Sequence, residues 1–342
     1  MNPDRTFVEA LSRPAVSEVV TKCSVCGALL DEEDLFCANC GTEAPPSEDR
    51  KQAQQTLLAQ HNFLCQGCGA SMSYDASAQS LRCPFCGSTN LDEQKDAKVL
   101  RPKWVVPFAI AQQDALTRLR QWLGSSFWRP GDLSQRAEVT TLTQVFVPYW
   151  VFAARVFTYW TADTSRTPAG ASGDWYPLAG ENRANYSGLI VGASSVLTPA
   201  ETNAICPFDL SAAVPPEKVD LDNVVYEQFR VQRKYARPQA QQGLENLESQ
   251  ACRQFVPANC RNLKVNVRVE GLTGEPVLLP VWIMAYRYKD QVYRFLVNGQ
   301  NGSCTGTAPT SYRKIAAVVG IVIAVIVGGL ICLGIAGVIG SK

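Results

Sequence analysis

Apolar residues recur along this chain at the period of a helix, at the period of a strand and in one continuous run, and each pattern predicts a different element. From Asp114 to Leu123, the residues Ala115, Leu116, Leu119, Trp122 and Leu123 share one helical face, with Arg118, Arg120 and Gln121 largely on the other. From Val145 to Trp160, β-branched and aromatic residues gather around Pro148, which predicts a buried strand with a bend or bulge. Val224 to Arg233 and Pro238 to Phe255 read as two helices, the second turning Leu244, Leu247, Ala251 and Phe255 inward. Leu263, Val265, Val267 and Val269 then alternate with polar residues. Val277 to Tyr288 leads through Lys289 and Asp290 into Val292 to Val297, a hairpin that ends at Asn298-Gly299. Residues 104–312 are therefore expected to form one mixed α+β domain rich in antiparallel strands. Phe146, Tyr149, Trp150, Phe152, Phe157, Tyr159 and Trp160 are read as core more than as a stacking platform, because only Arg155 lies nearby as a cation.

The continuous run is Ile315 to Gly340, made of Ile, Val, Leu, Ala, Gly and one Cys. As a helix at 1.5 Å per residue it reaches roughly 39 Å against a hydrocarbon core of about 30 Å, so a single transmembrane helix over 315–340 is expected. Arg313 and Lys314 mark the preceding side as cytoplasmic, which makes the chain a tail-anchored, single-pass protein of the cytoplasmic (inner) membrane. Ala316, Gly320, Ala324, Gly328, Cys332, Ala336 and Gly340 fall at every fourth position, a spacing that suits a homo-oligomer or partner contact through this helix.

Cysteine changes the picture of the amino-terminal third. Cys23, Cys26, Cys37 and Cys40 form C-x2-C-x10-C-x2-C, and Cys65, Cys68, Cys83 and Cys86 repeat the scheme with fourteen residues between pairs. Two residues between thiolates present both sulfurs to one ion, and two such knuckles complete a tetrahedral site. Gly27, Gly41, Gly69 and Gly87 follow the second cysteine of each pair and relieve backbone crowding there. Two structural four-cysteine Zn2+ sites are expected, with no open coordination position for water. His61, the only histidine, is read as a solvated residue beside a complete quartet. The expected layout is a tail at 1–20, a zinc ribbon at 21–43, a linker at 44–60, a second ribbon at 61–90 and a linker at 91–103.

The chain has 46% hydrophobic residues and a net charge of +1, ordinary for globular material, and its first twenty residues lack a secretory h-region. Between Thr21 and Asn90, Lys22, Arg50, Lys51 and Arg82 face Asp31, Glu32, Glu33, Asp34, Glu43, Glu48, Asp49 and Asp75, a net of −4. Phosphate neutralisation by Lys and Arg supplies most non-specific nucleic-acid affinity, so acidic ribbons argue against a DNA or RNA clamp. No G-x4-G-K-[ST] loop and no G-x-G-x-x-G after a strand is present, and a single histidine excludes most His-dependent triads. No catalytic residue is assigned. Cys206, Cys252, Cys260 and Cys304 are read as structural thiols.

The second ribbon with Tyr74-Asp75, together with Val106-Pro107-Phe108, Val147-Pro148-Tyr149-Trp150, Pro207-Phe208-Asp209-Leu210, Leu279-Pro280-Val281-Trp282, Tyr286-Arg287-Tyr288 and Val297-Asn298-Gly299-Gln300, resembles a bacterial family of membrane-anchored zinc-ribbon proteins. Over about residues 61 to 340, the chain is similar to members carrying a TFIIB-type zinc ribbon and often labelled primosomal protein N′ or helicase-like. No helicase ATPase motif accompanies that label here. The resemblance implies protein partners of the phage-shock or flotillin-like membrane-stress kind, and no catalytic residues. The expected function is a non-enzymatic adaptor or scaffold at the membrane. A membrane-tethered nucleic-acid-binding regulator and an enzyme of unnamed class are the alternatives.

Overall fold

In the computed structural model of the chain, β-branched and aromatic segments pair over unusual lengths. The structure describes residues 21–27, 29–30, 37, 39–40, 42, 61–74, 82–94, 100–166, 169–170, 172–256 and 259–340, with no side-chain description at 21, 29, 61, 222 and 329–340. A small amino-terminal pair, β1 (Thr21–Lys22) and β2 (Leu29–Leu30), forms its own two-stranded sheet. Among the described residues, every other strand belongs to one mixed ten-stranded sheet.

Two long strands form its spine. β7 (Glu138–Thr164) and β10 (Cys260–Tyr288) run antiparallel from Cys260 opposite Thr164 to Arg287 opposite Glu138. Near the hairpin end, β10 pairs with β11 (Gln291–Asn298) across the two-residue turn Lys289-Asp290. Both turn residues have positive φ, 47° and 63°, as a turn matching the right-handed strand twist requires. β12 (Cys304–Gly306) borders β11, and β6 (Trp104–Val105) joins β10 in parallel. At the far end, β8 (Tyr176–Gly192) flanks β7, giving the three-stranded order β8-β7-β10.

Helices cover parts of this sheet. α1 (Gln112–Gly124) buries Ala115, Leu119 and Leu123 together with Leu133 of the short α2 (Leu133–Arg136) against Trp282, Met284, Tyr286 and Phe295. The short α3 (Pro199–Ala204) follows β8 with a full capping box between Thr198 and Glu201. α4 (Arg233–Phe255) lies on the three-stranded end and buries Ala236, Ala240, Leu244, Glu248 and Cys252.

Here the periodicity misled in two places. The expected inner positions Leu247 and Phe255 are 39% and 59% exposed. The buried stripe instead runs every fourth residue through two alanines and a glutamate, and close approach to the sheet favours those small side chains. The expected helix at 224–233 is absent: Val225–Glu227 is a strand, β9, because it is captured between β7 in parallel and β4 (Ser71–Tyr74) in antiparallel pairing. The strand aromatics Phe146, Tyr149, Trp150, Phe152 and Trp160 are buried, while Tyr159 stands exposed.

The expectation of an α+β fold carrying a C-terminal transmembrane helix is corrected. Among the described residues strands hold 40% and helices 27%, so the large mixed sheet dominates the architecture. The last helix, α5, extends over Tyr312–Gly340, with side chains described as far as Gly328. Among the described residues no helix is long and apolar enough to cross a membrane. The single-pass, tail-anchored reading and the inner-membrane localisation are corrected with it. The side chains of the stripe from Cys332 onward lie outside the described residues.

Candidate metal centres

Each ribbon builds its candidate ligand set from turns that the glycines make possible. β3 (His61–Cys65) ends on Cys65, whose carbonyl accepts from Gly69 N at 2.8 Å and whose N–H donates to Ala70 O at 2.8 Å. The second knuckle repeats this: Gly87 N donates to Cys83 O at 2.8 Å, and Cys83 N to Ser88 O at 2.9 Å. Gly69 and Gly87 have φ of 76° and 75°, and Gly27 in the first ribbon has 71°, a left-handed conformation that glycine adopts without a Cβ penalty. Gly41 lies outside the described residues.

The turns converge the thiols. Within each quartet all four Sγ atoms lie within 4.8 Å of one another. In the second, Cys65 to Cys86 is 3.6 Å and Cys68 to Cys83 is 3.5 Å. In the first, Cys23 to Cys40 is 3.6 Å and Cys26 to Cys37 is 3.4 Å. These separations are far beyond a disulfide bond of about 2.05 Å, and all eight cysteines are free. Both groups are therefore close enough to hold a metal ion. Cys65 and Cys83 are buried, Cys68 is half-buried and Cys86 exposed. Contact with Cys83 pulls the Cys68 thiol down to about 5, while the same contact and burial push Cys83 up.

The two ribbons differ in what surrounds them. Among the described residues, β1 and β2 pair only with each other, and Leu30 clusters with Cys23 and Cys37 alone. The second ribbon continues the main sheet in the order β9-β4-β3-β5, where β5 is Leu91–Glu93, within the stretch expected to be a linker. Its Cys65, Ala70, Met72, Cys83 and Phe85 share one hydrophobic cluster with Trp104, Val145, Val147, Tyr149 and Val281 of the body. His61 opens β3 opposite Tyr74, so its backbone is strand.

Sequence reasoning missed the polar seam behind this junction. Gln228 is buried, accepts from Ser71 Oγ at 2.8 Å and donates to Asn62 Oδ1. Ser73 Oγ donates to the same Asn62 oxygen at 2.6 Å. Arg230 donates to Ser71 Oγ at 3.1 Å. Beside them Glu227 is fully buried, its Oε1 accepting from Ser195 N at 2.7 Å and Ser195 Oγ at 3.0 Å. Burial pushes this carboxyl up to about 7. The β propensity of Val224-Val225-Tyr226 was the available signal for a strand here.

Two motifs meet in a second knot. Asn298, buried at the end of β11, donates to Ile205 O at 2.8 Å and Pro207 O at 3.0 Å, and accepts from Gln300 N at 2.8 Å. Gln300 in turn exchanges hydrogen bonds with the Asp209 backbone, accepting from its N–H at 2.6 Å and donating to its carbonyl at 2.9 Å. A cleft of about 710 Å³ lies elsewhere, along β10 and α4, and its only lining carboxylate is Glu245.

No protein-family model matches the sequence, and no solved structure does. The chain is 24% identical over 314 residues to the uncharacterized protein YdjG of Bacillus subtilis (strain 168), an alignment covering 75% of this chain and 92% of that protein.

Proposed function

We propose that this protein is a non-enzymatic zinc-ribbon adaptor that binds protein partners, with its first ribbon as the docking module and its second as part of the fold. Zinc suits both quartets: Zn–S bonds of about 2.3 Å place the corners of a tetrahedron about 3.8 Å apart, close to the 3.4–3.6 Å separations of the paired sulfurs. Four thiolates would fill the coordination shell, so the ion would stabilise the ribbons without activating water.

The observation that carries this reading is the contrast between the ribbons. The second is committed to the main sheet through β9, whereas the first pairs only within itself among the described residues. A ribbon left free of the core has its surface available for another protein. The acidic run Asp31 to Asp34 favours a partner with a basic face.

In-cell crosslinking with mass spectrometry tests this on the wild type and on Cys23→Ser/Cys26→Ser. The adaptor reading predicts specific protein crosslinks that disappear in the variant while its main unfolding transition is unchanged. Retention of the same partners, or tight salt-sensitive binding of DNA or RNA, contradicts it.

A further inference from the structure

We propose that the free edge of β10 is a self-association surface, on which Lys264–Glu270 pairs antiparallel with the same segment of a second copy of this chain about a dyad at Val267. The inference is independent of the adaptor reading.

Below Gly274, β10 pairs with β7 on one side, and among the described residues no strand occupies the other. A row of unpaired backbone N–H and C=O groups is a template for another strand. The regular part of this edge is delimited: the register with β7 shifts between Arg261 and Lys264 and again between Glu270 and Thr273. Asn262 and Gly271, at those shifts, have φ of 55° and 61°. Between them Lys264 to Glu270 runs without interruption, and its midpoint is Val267.

Antiparallel pairing about that midpoint is self-complementary. Lys264 faces Glu270 of the second copy, and Asn266 faces Arg268, all on the sheet face away from α4. Val265 faces Val269 and Val267 faces itself on the face beneath α4. Opposite charges and β-branched pairs directly across a strand boundary both favour pairing. A lysine on an edge normally repels an incoming strand, but in this register each lysine meets a glutamate. Moving the dyad to Asn266 would set Lys264 against Arg268, so the charges also select the register.

The surroundings leave room for the second strand. The open cleft of about 710 Å³ follows this edge, with Gln242, Glu245, Asn246 and Ser249 of α4 above it. These side chains would meet their counterparts from the second copy, since a dyad normal to the sheet puts both α4 helices on one face. The opposite edge, β8, is a poorer template. It carries Pro177, Gly180 and Gly188, which weaken a strand.

Sedimentation equilibrium of the zinc-loaded full-length chain tests the proposal. Wild type is expected to dimerise. Lys264→Glu and Glu270→Lys should each weaken dimerisation at least about tenfold by setting like charges together, and mixing the two variants should restore it, because both cross-pairs are then Glu–Lys. Should Glu270→Lys fail to fold, Lys264→Glu compared with the double charge swap makes the same distinction. A wild-type chain that is monomeric at about 100 μM, dimerisation indifferent to Lys264→Glu, or dimerisation abolished instead by Arg183→Glu on β8 would overturn it.

Discussion

Ser71 of the second ribbon donates its hydroxyl to Oε1 of Gln228 at 2.8 Å, joining two segments 157 residues apart inside the protein. Both residues are buried, so neither polar group has water to fall back on. Removing Gln228 leaves the Ser71 hydroxyl without its acceptor and takes one of two donors from Asn62 Oδ1, which keeps Ser73 Oγ, and an unsatisfied buried partner costs about 1–3 kcal/mol. Gln228→Ala is therefore expected to lower stability by about 2–3 kcal/mol in denaturant titration, with the ribbon and the body still unfolding together. A loss below about 0.5 kcal/mol, the size of an ordinary surface change, would show that the seam contributes little.

The ligand turns make a separate prediction. A Cβ at Gly69 would meet nothing within 4 Å, so the cost of Gly69→Ala is conformational and not steric. Holding a non-glycine residue at φ near 76° costs roughly 1–2 kcal/mol. Zinc affinity, read by competition with a chromophoric chelator, should weaken about tenfold in Gly69→Ala and less in Gly69→Asn, because asparagine tolerates the left-handed region. Equal losses in both would point to some cause other than φ.

Glu227 sets a pH dependence. Its folded pKa, raised by burial to about 7, lies above its ordinary value of 4.5. The folded state thus holds the proton more tightly than the unfolded one. The associated stability is fully present below about pH 4.5 and is lost as pH rises through about 7. At 1.36 kcal/mol per unit, the loss approaches about 3 kcal/mol. Glu227→Gln keeps an oxygen to accept from Ser195 and removes the charge. Its stability advantage over wild type should grow between pH 5.5 and 8, and a constant difference across that range would remove Glu227 as the cause.

Asn298 joins β11 to the loop at Ile205–Pro207, donating to two carbonyls and accepting from a backbone N–H. Asn298→Asp removes both donors and presents oxygen to those carbonyls. It should destabilise more than Asn298→Leu, by about 1–3 kcal/mol, when the two are compared by thermal unfolding. The reverse order would mean that volume, not hydrogen bonding, governs the site.

The two converging cysteine quartets were legible in the sequence because C-x-x-C-G spacing is a local constraint: the turn that converges two sulfurs is written in five consecutive residues. The alternation at Leu263–Val269 was legible for the same reason. What failed were features decided at long range. Val225–Glu227 is strand because β7 and β4 lie on either side of it, and no local period records that. The inner face of α4 carries Ala236, Ala240 and Glu248, where an apolar count points to Leu247 and Phe255. The anchor rested on composition across 315–340, and among the described residues no helix is long and apolar enough to cross a membrane.

Hydrogen exchange on two cysteine variants tests most directly whether the ribbons divide their roles as proposed. Cys65→Ser/Cys68→Ser should lose zinc from the second site and lose amide protection through β3, β4 and β9 and into Val145-Phe146 of β7, the pairing neighbours of β9. Cys23→Ser/Cys26→Ser should lose zinc from the first site and leave all of those amides protected. Unchanged protection of β9 in the first variant, or its loss in the second, would contradict the account.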